Sequence, residues 1–153
     1  MSQPIPTLLL AAFVAVVLVV LAVIDIRRRI VPNRIVLPAT AIVLVARLAF
    51  SPGDTAQYAL AALLAAAFLF LPRLLNANSI GMGDVKLGLL IGATLGWGTA
   101  PALALGFLLV FPVALVIVVR GGIATARRAT LPMCPFLSLG ALAILLGSGL
   151  QIG

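Results

Sequence analysis

The chain has 153 residues, 64% of them hydrophobic and 8% charged, with a mean hydropathy of +1.34. Such a composition excludes an ordinary soluble domain and places the chain in a membrane. There is no histidine and one cysteine, which removes the commonest metal ligand and general base and rules out an internal disulfide or a multi-cysteine zinc site. The net charge of +7 needs no nucleic-acid partner when the basic residues sit in short loops of a membrane protein.

Read in chain order, apolar runs cover Ile5 to Ile24, Ile35 to Phe50, Gln57 to Leu75, Val85 to Ala100, Ala102 to Val119 and Pro135 to Leu150. The expected fold is therefore an all-α integral membrane protein, one domain over residues 1–153 with six transmembrane helices. Several runs fall short of the roughly 20 residues that cross about 30 Å of hydrocarbon, so their ends are expected to extend into the flanking residues. The first run is not a signal peptide, because no Lys or Arg precedes Arg27 and a signal peptide begins with a basic region. With six helices and both termini outside, the odd connections hold Arg27, Arg28, Arg29, Arg34, Arg73, Lys86, Arg120, Arg127 and Arg128, leaving only Arg47 external. That distribution obeys the positive-inside rule, and the Arg27–Arg29 run reads as topogenic.

The chain has three acidic residues. Asp54, in the turn "SPGDTAQY", fits an N-cap of the third helix. Asp25 ends the first helix in "AVIDIRRRIVPN", and Asp84 begins the fourth in "GMGDVKLG"; both fall at the cytoplasmic edge. A carboxylate at membrane depth costs about 2.5–3.5 kcal/mol on insertion scales, so it usually faces the bundle interior and serves function. The plainer alternative is an ion pair, Asp25 with one of Arg27 to Arg29 or Asp84 with Lys86, although residues two apart project from different sides of a helix. Asp84, Gly88, Gly92 and Gly96 recur every four residues, a stripe that admits a close neighbour. Ala11, Ala15 and Ala22 share a face with Asp25. Packing of the Ala stripe on the Gly stripe, with the two helices antiparallel, is expected to bring the carboxylates together. Cys134 reads as packing and Trp97 as an interfacial belt residue.

Two carboxylates in a low-dielectric site share a proton and titrate as a pair. That is the chemistry of an aspartic protease: one member draws a proton from water while the other polarises the carbonyl or protonates the leaving amine, with no metal and no other cofactor. The alternative is a small proton- or cation-coupled transporter using the same aspartates, since intramembrane carboxylates also mark ion pathways. Against it stand the placement of both at one membrane face and the absence of an evident inverted repeat.

The residues resemble the type IV prepilin peptidases, membrane aspartic proteases of the GxGD type. Gly81, Met82, Gly83, Asp84, Val85 and Lys86 fit the Gly-x-Gly-Asp-x-Lys motif; Asp25, with Pro32 and Asn33 downstream, fits the first aspartate motif; Pro135 to Gly147 looks like the last helix. The resemblance implies that Asp25 and Asp84 are the catalytic pair. It implies a prepilin or pseudopilin substrate, cut at its short basic leader on the cytoplasmic side of the cell membrane, and a short, peptidase-only form lacking the methylation-associated N-terminal region. Around the pair, Lys86 orients either Asp84 or the substrate; Gly81 and Gly83 either admit substrate backbone or permit the turn; Pro32 and Asn33 serve the motif or simply start a helix.

Overall fold

The structure, a computed structural model, describes residues 4–75, 81–128 and 133–150, and every element longer than one turn in them is an α-helix: α1 Pro4–Arg28, α2 Asn33–Phe50, α3 Thr55–Leu75, α4 Met82–Leu95, α5 Thr99–Arg128 and α6 Cys134–Leu150. The apolar runs thus became helices in the expected order, with different ends. Four segments are long and apolar enough to cross a membrane: 8–28, 33–50, 55–74 and a 40-residue stretch over 82–121 that holds both α4 and α5; α6 contributes a shorter apolar segment over 134–147. The connections 76–80 and 129–132 and both chain termini, whose sides were expected from charge, lie outside the described residues.

Two boundaries moved for identifiable reasons. The fourth helix stops at Leu95 and not near Ala100, because Gly96 takes φ 55° and ψ −124°. That region suits only glycine, and a single 3₁₀ turn over Gly96–Gly98 leads into α5. The fifth runs on to Arg128, beyond the expected Val119, so Arg120, Arg127 and Arg128 belong to a helix and not to a connection.

α4 is the centre of the bundle. Asp84, Val85, Leu87, Gly88, Leu90, Ile91, Gly92, Ala93 and Thr94 are all buried, and a helix apolar on every side is one enclosed by others. The remaining helices neighbour one another in the sequence α1, α2, α3, α5, α6 and back to α1, closing a ring around it. The ring's outer surface is apolar, with Leu9, Val16, Val45, Leu63, Leu108 and Val119 each more than 60% exposed. A soluble monomer does not present so much contiguous apolar surface.

The expected pairing of stripes is corrected. The glycine face of α4 packs on α3: a Cβ at Gly88 would lie 2.7 Å from Leu69 Cδ1, one at Gly92 would lie 2.3 Å from Ala62 Cα, and one at Gly96 would lie 2.8 Å from the Tyr58 ring. On α1 the buried face is Val14, Leu18, Leu21 and Asp25, spaced 4, 3 and 4 residues apart, while Ala11, Ala15 and Ala22 are only half-buried. α1 packs on α6 and α2. It reaches α4 through side chains: Val14 and Leu18 with Ile91, Thr94 and Leu95 line a void too narrow for water, closed by Ala141 of α6.

Candidate active site

The order of residues along that seam fixes the helix directions. Passing from Asp25 to Leu18 to Val14 descends α1 toward its start, while passing from Asp84 to Ile91 to Leu95 follows α4 toward its end. The two helices are antiparallel, and the end of α1 meets the beginning of α4. There Asp25 and Asp84 are 7% and 9% exposed, and they act on each other electrostatically. The Ala stripe does not bring them together; the larger residues Val14, Leu18 and Leu21 do, by turning the Asp25 face of α1 inward.

Each carboxylate is held by backbone. Asp84 lies in the first turn of α4, with its amide bonded to the Gly81 carbonyl at 3.1 Å. Its carboxylate accepts from the Gly81 amide, and the approach is close: a Cβ on Gly81 would stand 3.3 Å from Asp84 Oδ2. A carboxylate in the first turn also meets the positive end of the helix dipole. Asp25 accepts from the amide of Cys134, the first residue of α6, one of the amides left without a partner at a helix start. Cys134 is therefore more than packing. Its side chain is fully buried, 3.8 Å from Ser138 Oγ, and it feels both carboxylates. The thiol identity gave no hint of this, because the contribution is made by the main chain. The signal available was "MCPF", where Pro135 marks a helix beginning.

Of the ion-pair alternatives, the one at Asp25 has a counterpart: Arg29 attracts it electrostatically. At Asp84 the charged group that acts is Asp25, whereas Lys86 Nζ donates to Asn33 Oδ1 at 2.6 Å. Gly83 packs directly on Val31, since a Cβ there would lie 2.6 Å from Val31 Cβ. Pro32 takes the N-cap position of α2 with φ −72° and ψ 122°, and its carbonyl accepts from Ile35 and Val36. The structure thus brings Asp25, Asp84, Gly81 and Cys134 into one cluster, with Gly83, Lys86, Pro32 and Asn33 along the neighbouring α1–α2 turn.

Asp54 stands apart, exposed in the turn before α3. Its carbonyl, at the N-cap position, accepts from Gln57 at 3.1 Å and Tyr58 at 3.4 Å. Trp97 is 65% exposed at the far end of α4 from Asp84. No group of three or more metal-ligating side chains occurs among the described residues.

A sequence profile of the type IV leader peptidase family matches residues 12–126, well over half the chain and including both aspartates. The chain belongs to the type IV leader peptidase family. Searches of curated proteins and of solved structures found no match. For a leader peptidase, membership supports protease activity in general, and the paired carboxylates become the place to look for its chemistry.

Proposed function

We infer that this leader peptidase is an aspartic endopeptidase of the cytoplasmic membrane that removes the short basic leader of a prepilin or pseudopilin. The observation that carries the reading is the meeting of Asp25 and Asp84 at one end of the bundle, where α1 finishes and α4 begins. Sharing of one proton between neighbouring carboxylates gives both partners of the reaction. The ionised member takes a proton from water as it attacks the scissile carbonyl; the protonated member donates to the developing oxyanion. The tetrahedral intermediate collapses as the new amine receives a proton, so the pair ends with one proton again. The Gly81 and Cys134 amides keep each carboxylate in a single orientation for this exchange. A carboxylate pair at one end also fits a peptidase better than a transporter, whose ion site belongs near mid-depth.

In this reading all six helices span, α4 and α5 crossing separately on either side of Gly96, and both termini are external. Asp84, in the first turn of α4, then lies toward the cytoplasmic face, near a substrate's leader junction. Co-expression with a prepilin tests it. Asp25→Asn and Asp84→Asn are expected to leave the prepilin at its unprocessed size on a gel while the enzyme accumulates normally; processing by a well-expressed Asn variant would refute the dyad. Reporter fusions after Arg34 and after Asp54 are expected to read cytoplasmic and external, and the reverse pattern would place the dyad on the wrong side of the membrane.

A further inference from the structure

The hydrogen bond from Lys86 to Asn33 has features that local stability does not account for. Lys86 lies in the opening turns of α4 and Asn33 is the first residue of α2, so the ammonium stands near the positive ends of two helix dipoles, each an unfavourable placement for a cation. Asn33 stands just after the N-cap Pro32, and its side-chain oxygen is turned across to the neighbouring helix. The bond is solvent-exposed, where exchange with water leaves it little net effect on stability.

What the bond does is geometric. Residues 31 to 33 touch the start of α4 at two points, Val31 on Gly83 and Asn33 on Lys86, and these points flank Asp84 in the sequence. The same turn continues directly from Asp25: the Arg29 amide bonds the Asp25 carbonyl at 2.7 Å, and Arg29 then takes φ 52°. A non-glycine residue in that left-handed region is strained and persists where its surroundings fix it. This turn therefore ties the main chain at Asp25, through Arg29, to the start of α4 at Gly83, through Val31. We propose that Lys86 and Asn33 are a positioning pair whose hydrogen bond, with the Val31–Gly83 contact, sets the start of α4, and so Asp84, against Asp25. Lys86 acts through Asn33 and touches neither Asp84 nor the substrate. The proposal rests on the dyad reading above.

The test is steady-state cleavage of a prepilin by the full-length enzyme in proteoliposomes. Lys86→Met keeps the apolar stem and removes the donor; Asn33→Leu removes the acceptor; Lys86→Arg and Asn33→Asp keep the bond. Misplacement of a reacting group by about 1 Å costs on the order of 100-fold, so each disruptive variant is expected to lose roughly that in kcat with KM nearly unchanged. The double variant Lys86→Met with Asn33→Leu is expected to be no worse than either single, and Lys86→Arg and Asn33→Asp to recover most of the rate. A raised KM with normal kcat in Lys86→Met would instead make Lys86 a substrate contact and overturn the proposal. So would additive losses in the double variant, or wild-type kinetics in either disruptive variant. If one variant fails to accumulate, the other disruptive single decides by the same criterion. Failure of the wild-type enzyme to cleave, or full activity of Asp84→Asn, would sink the dyad reading itself and is distinguishable from these results.

Discussion

The two ends of α4 show how one helix serves two purposes. At the Gly96 end a charge is partnered through one nitrogen and its face: Arg47 Nη2 of α2 donates to the Thr94 carbonyl at 2.7 Å and the guanidinium lies 3.9 Å above the Tyr58 ring, its buried Nε has no hydrogen-bond partner, and Gly96 packs on the edge of that same ring. The cation satisfies a carbonyl at the negative end of the α4 dipole, a structural arrangement throughout. At the Asp84 end two carboxyl groups are placed together at the beginning of the helix, and each accepts from a main-chain amide. Two full charges held so close would destabilise a fold, and a carboxyl pair of this kind is a candidate for chemistry. An ionisable residue in a membrane helix is thus read by its partner: a cation on a carbonyl and a ring serves structure, while a carboxyl group facing another is, in the proposed dyad, the one that exchanges a proton.

That contrast can be broken by substitution. The largest effect is expected midway between the ends, at Gly92. A Cβ there meets the Ala62 backbone at 2.3 and 2.6 Å, so Gly92→Ala must push α3 and α4 apart. Overpacking of this kind costs about 3 kcal/mol or more when backbone must move, and the expected readout is loss of the protein from the membrane. Next is Cys134→Pro, which removes the amide that Asp25 accepts from while suiting the first position of a helix. Cleavage is expected to fall on the order of 10–100-fold at normal abundance, while Cys134→Ala, which keeps the amide, stays near wild type; equal losses in both would return the residue to packing.

Smaller still is Arg47→Met, which removes the lock at the opposite end. A stability loss of about 1–2 kcal/mol is expected in a thermal-aggregation assay, with kcat unchanged; a fall in kcat without loss of stability would erase the distinction between the ends. The smallest effect belongs to Asp54→Asn, within about 0.5 kcal/mol in stability and without effect on cleavage, because Asn retains the cap geometry.

Asp25 and Asp84 stood out in the sequence because a carboxylate in so apolar a chain demands an explanation, but the face that turns Asp25 inward was misassigned: Val14, Leu18 and Leu21 are the buried residues, and the expected Ala11, Ala15 and Ala22 are half-buried. The glycine stripe of α4 was legible as a close-packing face, but its partner was not. Glycine spacing records how near another helix comes and says nothing of which one, and "ALAALLAAAFLF" of α3 offers small residues Ala61, Ala62 and Ala65, all buried, to receive it. The hydrogen bond of Lys86 to Asn33 spans 53 residues; each partner belongs to a recognisable motif, while their meeting depends on the bundle. Cys134 was invisible for a different reason, since a backbone amide is present at nearly every position and only the fold selects the one that faces Asp25.

The central claim is that Asp25 and Asp84 act as one unit, and a double-mutant cycle in single-turnover prepilin cleavage tests it most directly. Asp25→Asn and Asp84→Asn are each expected to lower the rate by at least about 10³-fold, and the double variant to be no slower than the slower single, since groups that act together are lost together. Losses that multiply in the double variant, or a single variant within about tenfold of wild type, less than general acid–base catalysis ordinarily supplies, would contradict the account.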